Sequence, residues 1–201
     1  MRKIREFNLR LPFKELRLRA RRALDLDAMG IDDAAFNEWL LVLQSRAEPA
    51  VVFETYGPEH EDAAALSPIP GLGHTVGLAS LGSDVGAWIE ERATETPEKG
   101  ELALLLAESA LDRCVRFVLN LIKDEVEEER CELSPIHPIA DAEQLAFVVQ
   151  TLEGAKIDIA LDAGRLSPRM ATAFCVSWIA RKARSMKKKK ARAGARRPGV
   201  R

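Results

Sequence analysis

Apolar positions recur along this chain in two rhythms. The longest helical rhythm runs from Glu101 to Glu129, where Leu104, Ala107, Leu111, Cys114, Val118, Leu121 and Ile122 share one face and Glu108, Asp112, Arg116 and Lys123 the other. Its last turn is acidic, Glu125 to Glu129, and lies at the negative pole of the helix dipole, so it should fray or meet a basic partner. Upstream, Leu16, Ala20, Ala23 and Leu24 predict a basic helix over Lys14–Met29 stopped by Gly30. Asp32 and Asp33 open a second helix with a stripe of Phe36, Trp39, Leu40 and Leu43, closed by Pro49. Strand-like runs follow at Ala50–Tyr56 and Gly73–Leu81, separated by a loop rich in Pro, Gly and acid. Gly82 and Ser83 then turn the chain into a helix reaching about Ala93, with Val85, Trp88 and Ile89 on one face. Near the C-terminus, Asp141 caps a helix built on Leu145, Val148, Val149 and Leu152 and ended by Gly154. Ile157, Ile159 and Leu161 alternate with Asp158 and Ala160 as in a half-buried strand, and after a turn over Asp162–Pro168 a last strand covers Met170–Ile179.

The pattern predicts an α+β fold in which a mixed or antiparallel sheet is covered by helices. Its parts are an N-terminal helical layer (1–49), an α+β core (50–180) and a disordered basic tail (181–201). The stretch Cys131–Leu145 breaks the rhythm: Pro135 and Pro138 flank Ile136 and His137, which marks it as a loop suited to a site. The Gly82-Ser83 turn, at the start of a helix, is a second place where backbone N–H groups can meet an anion or simply connect.

Charge changes the picture. The chain is near neutral at −1, but residues 181–201 carry 11 of its 30 basic residues and none of its 31 acidic ones, leaving the rest at about −12. A nucleic-acid surface is therefore not expected on the folded body, whereas the tail is suited to polyanions, although it has no aromatic residue for base stacking. Cys114, Cys131 and Cys175 are odd in number and lack C-x-x-C spacing, which points to a reducing, cytoplasmic setting. No run is long and apolar enough for a membrane span. His60, His74 and His137 are far apart and show no metal-ligand spacing, so no metal site is predicted. Ser134 and Ser167 each precede proline and have no neighbouring base, and Gly71-Leu72-Gly73 is not a dinucleotide fingerprint, so no catalytic residue is predicted.

Several motifs, taken in order over Ala50–Ile179, resemble the activation-domain family of vitamin B12-dependent methionine synthase and its stand-alone relatives. Ala79-Ser80-Leu81-Gly82 with Val85 and Ile89 is similar to that family's strand, Thr-Leu-Gly turn and helix. Ser134-Pro135-Ile136-His137 with Gln144 resembles its Ser-Pro-Gly-Tyr followed by a glutamine-led helix, and Ile157–Leu161 with Ser167-Pro168 resembles its closing strand and turn. The resemblance implies a domain that docks on a corrinoid-binding protein or methyltransferase, with S-adenosylmethionine as possible cofactor and cobalamin reached only through the partner. The implied ligand residues are Glu132, Ser134, Pro135, Ile136, His137 and Gln144. Glu132 stands where the family has arginine, Ile136 where it has glycine and His137 where it has tyrosine. A carboxylate about 4 Å from the ligand's own carboxylate costs several kcal/mol, so the resemblance implies that standard S-adenosylmethionine binding is lost or altered. Two other readings stand beside it: a non-catalytic scaffold module whose basic tail recruits an anionic partner, and a small-molecule enzyme using His137 with no base or nucleophile to name.

Overall fold

The computed structural model describes residues 1–60, 66, 69 and 71–181. In chain order its elements are β1 (Arg2–Arg5), α1 (Phe13–Ala23), α2 (Asp33–Arg46), β2 (Ala50–Tyr56), β3 (His74–Ser80), α3 (Asp84–Glu95) and α4 (Pro97–Glu128). Then come β4 (Cys131–Leu133), β5 (His137–Ile139), α5 (Ala142–Thr151), a 3-10 turn at Gly154–Ile157, the pair β6 (Ala160–Asp162) and β7 (Arg165–Ser167), and β8 (Ala171–Ala180). The main sheet runs β1-β2-β3-β8, with β4 and β5 both on the far side of β8, and every pairing is antiparallel. The fold is α+β, and of the two sheet types expected it is the antiparallel one.

Period two sorts the strand residues between two cores. Val51, Phe53, Ala79, Phe174 and Val176 face α1 to α4, while Val52, Val76, Leu78, Ala173 and Cys175 face α5, Ile157 and Ile159. Because both faces are covered, β3 is buried at all seven of its positions, including the polar His74, Thr75 and Ser80. Phe174 lies opposite Gly77 in the ladder, and its ring occupies the space that a Cβ at Gly77 would need.

Helix starts follow local chemistry. The Asp32 carboxylate accepts from the Ala35 N–H (2.8 Å), Thr96 Oγ1 from the Lys99 N–H (3.3 Å), with Pro97 at the first turn, and Asp141 from the N–H groups of Glu143 and Gln144 (3.1 and 3.0 Å). Asp141→Ala leaves two N–H groups without a partner, so it should lower stability by about 1 kcal/mol, read as a shift in the urea midpoint at unchanged slope.

Four departures from the sequence-based expectation have physical causes. The N-terminal layer is not purely helical: Arg2–Arg5 forms the edge strand β1, too short and too charged for its period to be read. The first helix stops at Ala23 instead of Met29, because the Asp25 carboxylate takes the Ala28 N–H (3.0 Å) and a separate turn places Leu26 in the core at 1% exposure. Ile157–Leu161 is not a half-buried strand. Ile157 ends a 3-10 turn, Asp158 is left-handed (φ 57°) and Ile159 returns to the same core, so the alternation arises from a turn. The expected turn Asp162–Pro168 is a hairpin, whose two-residue loop has both Ala163 (φ 48°) and Gly164 (φ 77°) left-handed, as a type I′ turn requires.

The acidic end of α4 does meet a basic partner. Arg2 donates to both carboxylate oxygens of Glu125 (2.5 and 2.7 Å), and this pairing holds the Glu125 carboxyl below its ordinary pKa. The basic tail lies outside the described residues beyond Arg181. Among the described residues no helix is long and apolar enough to cross a membrane.

Candidate functional site

The stretch predicted as a loop, Cys131–Leu145, is mostly an interrupted edge strand. Cys131, Glu132 and Leu133 pair with Ala180, Ile179 and Trp178, and His137, Pro138 and Ile139 pair with Cys175, Phe174 and Ala173. Three residues, Ser134 to Ile136, thus span the two positions Val176 and Ser177 on β8, which makes a bulge with one extra residue. Ser134 anchors it. Its N–H donates to the Ser177 carbonyl (2.9 Å), and its hydroxyl accepts from the Ser177 N–H (2.9 Å) and donates to the Pro135 carbonyl (2.9 Å). That hydroxyl is committed to the backbone.

The structure brings five of the six predicted residues together along this edge. Glu132, Pro135, Ile136 and His137 are exposed and Ser134 is half-buried; Ile136, 40% exposed, is one of several large apolar side chains that meet solvent, with Leu18 and Leu41 more exposed. Gln144 is apart from them, in the first turn of α5, where Asp141 holds its N–H. Among the described residues, none of the six lines any of five well-formed clefts of about 430 to 800 Å³. Along this edge the side chains of Glu132, Pro135, Ile136 and His137 meet solvent.

Behind it lies a polar group that the sequence alone does not assemble. His74 and Ser177 face each other across β3 and β8, and each is fully buried. Tyr56 pairs with His74 from the other side, its ring 5.7 Å from the His74 ring and 4.9 Å from that of His60. Among the described residues no well-formed hydrogen bond reaches either His74 ring nitrogen or the Ser177 hydroxyl. Burial lowers the His74 pKa, an effect opposed by the Leu72 backbone and helped slightly by the nearby His60. His137 belongs to the next row of the same sheet face, opposite Cys175. The three histidines are therefore drawn toward one end of one face, although 77 residues of sequence separate His60 from His137. Period two would have placed His74 on the face of Val76 and Leu78; strand pairing, which brings in Ser177, was not readable.

Other candidate chemistry finds no support among the described residues. Among the described residues no three His, Cys, Asp or Glu side chains converge as a metal requires. Burial pushes the thiols of Cys114 and Cys175 up to about 12, so neither supplies a thiolate. The Gly82-Ser83 turn opens on a cleft of about 430 Å³, but Glu6 and Glu48 line it and Arg5 is already paired with Asp158, an unfavourable setting for an anion.

Comparison with models of known protein families returns no match, and comparison with curated proteins returns none.

Proposed function

We propose that this chain is a stand-alone activation-domain-like module that acts in the cytoplasm, docking on a corrinoid-dependent methyltransferase system to support cobalamin reactivation or methyl transfer there. The observation that carries the reading is the exposed edge at Ser134–His137, anchored on β8, with an apolar Ile136 and a polar His137 presented outward. The other resembling motifs fall in family order on β3 with its turn into α3, on the first turn of α5 and at the end of β7.

The residues do not fit S-adenosylmethionine held as in that family. Glu132 offers the wrong charge, and Ile136 adds bulk where backbone must approach a ligand. No chemical step is therefore assigned to the chain, and cobalamin enters only with the partner.

Calorimetric titration tests both parts. A purified corrinoid protein should bind saturably, and Ile136→Asp should weaken it at least tenfold, as expected for a central apolar contact, with an unchanged melting temperature. S-adenosylmethionine alone should give no binding heat. Failure to bind any corrinoid protein removes the docking role, and tight binding of S-adenosylmethionine to the free chain removes the claim about the ligand.

A further inference from the structure

Net charge conceals a basic surface at the N-terminal end of the chain. The first 24 residues carry nine basic and two acidic side chains. The fold lays this segment antiparallel along α4: Arg19 donates to Ser109 (3.0 Å), Arg113 to Glu15 (2.7 Å), and Phe7 stacks on Phe117 with centroids 4.1 Å apart and planes 7° from parallel. Between residues 7–10 and the middle of α4 this leaves a cleft of about 480 Å³.

Its lining contains three arginines, Arg10, Arg113 and Arg116, the side chains Asn8 and Asn120, the two stacked rings, and no acidic residue. Arg113 is held by Glu15, but Arg10 and Arg116 are exposed and have no ion pair or hydrogen bond among the described residues. Lys14 and Arg22, on α1, are exposed and equally unpaired. The acids nearest to the cleft, Glu15 and Asp112, pair with Arg113 and Arg19, and others cluster away from it, for example at the Glu125–Glu129 end of α4.

We infer that this cleft binds a nucleobase carrying a phosphate, the base against the Phe7 and Phe117 rings and the phosphate on Arg10 and Arg116. Each part has a matching function. Aromatic rings offer a surface to any base, free guanidinium groups engage phosphate oxygens in pairs, and asparagine amides both donate to and accept from base edges. An acidic peptide uses the arginines but leaves the stacked rings and the amides without a role. The cleft volume falls in the range of small-ligand sites, about 300–1,000 Å³. Such a ligand can arrive as a free nucleotide or as a unit of a single strand, and the row of unpaired cations continuing over α1 is placed to follow a strand.

The test uses the full chain and must separate this cleft from the basic residues 182–201, which attract phosphates through charge alone. Fluorescence anisotropy with a labelled twelve-residue oligodeoxythymidylate, beside an abasic strand of equal charge, makes that separation. The thymidylate strand should bind at least tenfold tighter than the abasic one. Arg10→Ala with Arg116→Ala should remove at least tenfold of the binding and lower the slope of log affinity against log salt by about 1.4, about 0.7 for each lost phosphate contact. Asn120→Asp, which places a carboxylate in the cleft, should have a similar effect on affinity. Displacement of the strand by thymidine monophosphate, lost in the same variants, assigns a free nucleotide; no displacement assigns a strand. Equal binding of the abasic strand, or unchanged binding by these variants, overturns the inference, as does equally tight, variant-sensitive binding of polyglutamate.

Discussion

Gly77→Ala should destabilise the protein by about 1–3 kcal/mol, the usual cost of forcing an added methyl into a packed core. The cause is specific. The Phe174 ring lies over Gly77 at the centre of the sheet, 1% exposed, and there is no room for a Cβ beneath it. Phe174→Ala alone should cost about 3–5 kcal/mol through the cavity it leaves. In the Phe174→Ala background the alanine at 77 enters vacated space, so the two penalties should not add, with a coupling of about 0.5–3 kcal/mol. Urea midpoints for the four proteins of this cycle measure it. If Gly77→Ala costs the same in both backgrounds, the ring does not cover that glycine and the β3–β8 register is wrong.

Stability should also fall on the acid side of neutrality because of His74. Burial lowers its folded-state pKa below the unfolded value of 6.5. Above 6.5 the ring is neutral in both states and contributes no pH dependence. As pH falls below 6.5 the unfolded chain takes up a proton that the folded chain resists, so stability is lost down to the lowered folded pKa. His74→Val should flatten the melting-temperature profile over that window, and a profile as steep as that of the native protein would assign the acid sensitivity to other groups. Ser177→Ala makes the companion case: its hydroxyl is buried without a partner among the described residues, at a typical cost of about 1–3 kcal/mol, so removing it should leave stability at pH 7 unchanged or raised.

What could be read from the sequence was set by period and by caps. Long runs with caps, such as the helix bearing Leu104 to Ile122 and the helix opened by Asp141, were legible because burial and capping act over one or two turns. The interior strands were legible from their β-branched and apolar content. The edge at Cys131–Ile139 was not, since its two three-residue strands owe their conformation to backbone pairing with β8, and prolines within it read as loop. The site suffered the same blindness. The contiguous set Glu132 to His137 was visible as an irregularity, but the row of Tyr56, His74 and Ser177 exists only through registers between distant strands. Charge failed for another reason: summed over the body it is negative, while the fold collects the cations of the first 24 residues beside Arg113 and Arg116.

The bulged edge has one more implication. Pro138 pairs with Phe174 although it lacks an N–H, so the missing donor falls on the outer side of the strand, and Pro135 in the bulge has none either. The rim that β5 leaves open among the described residues cannot accept an incoming strand as a regular continuation of the sheet. Such a rim resists self-assembly by strand addition, and it obliges any protein that binds there to recognise side chains instead of backbone.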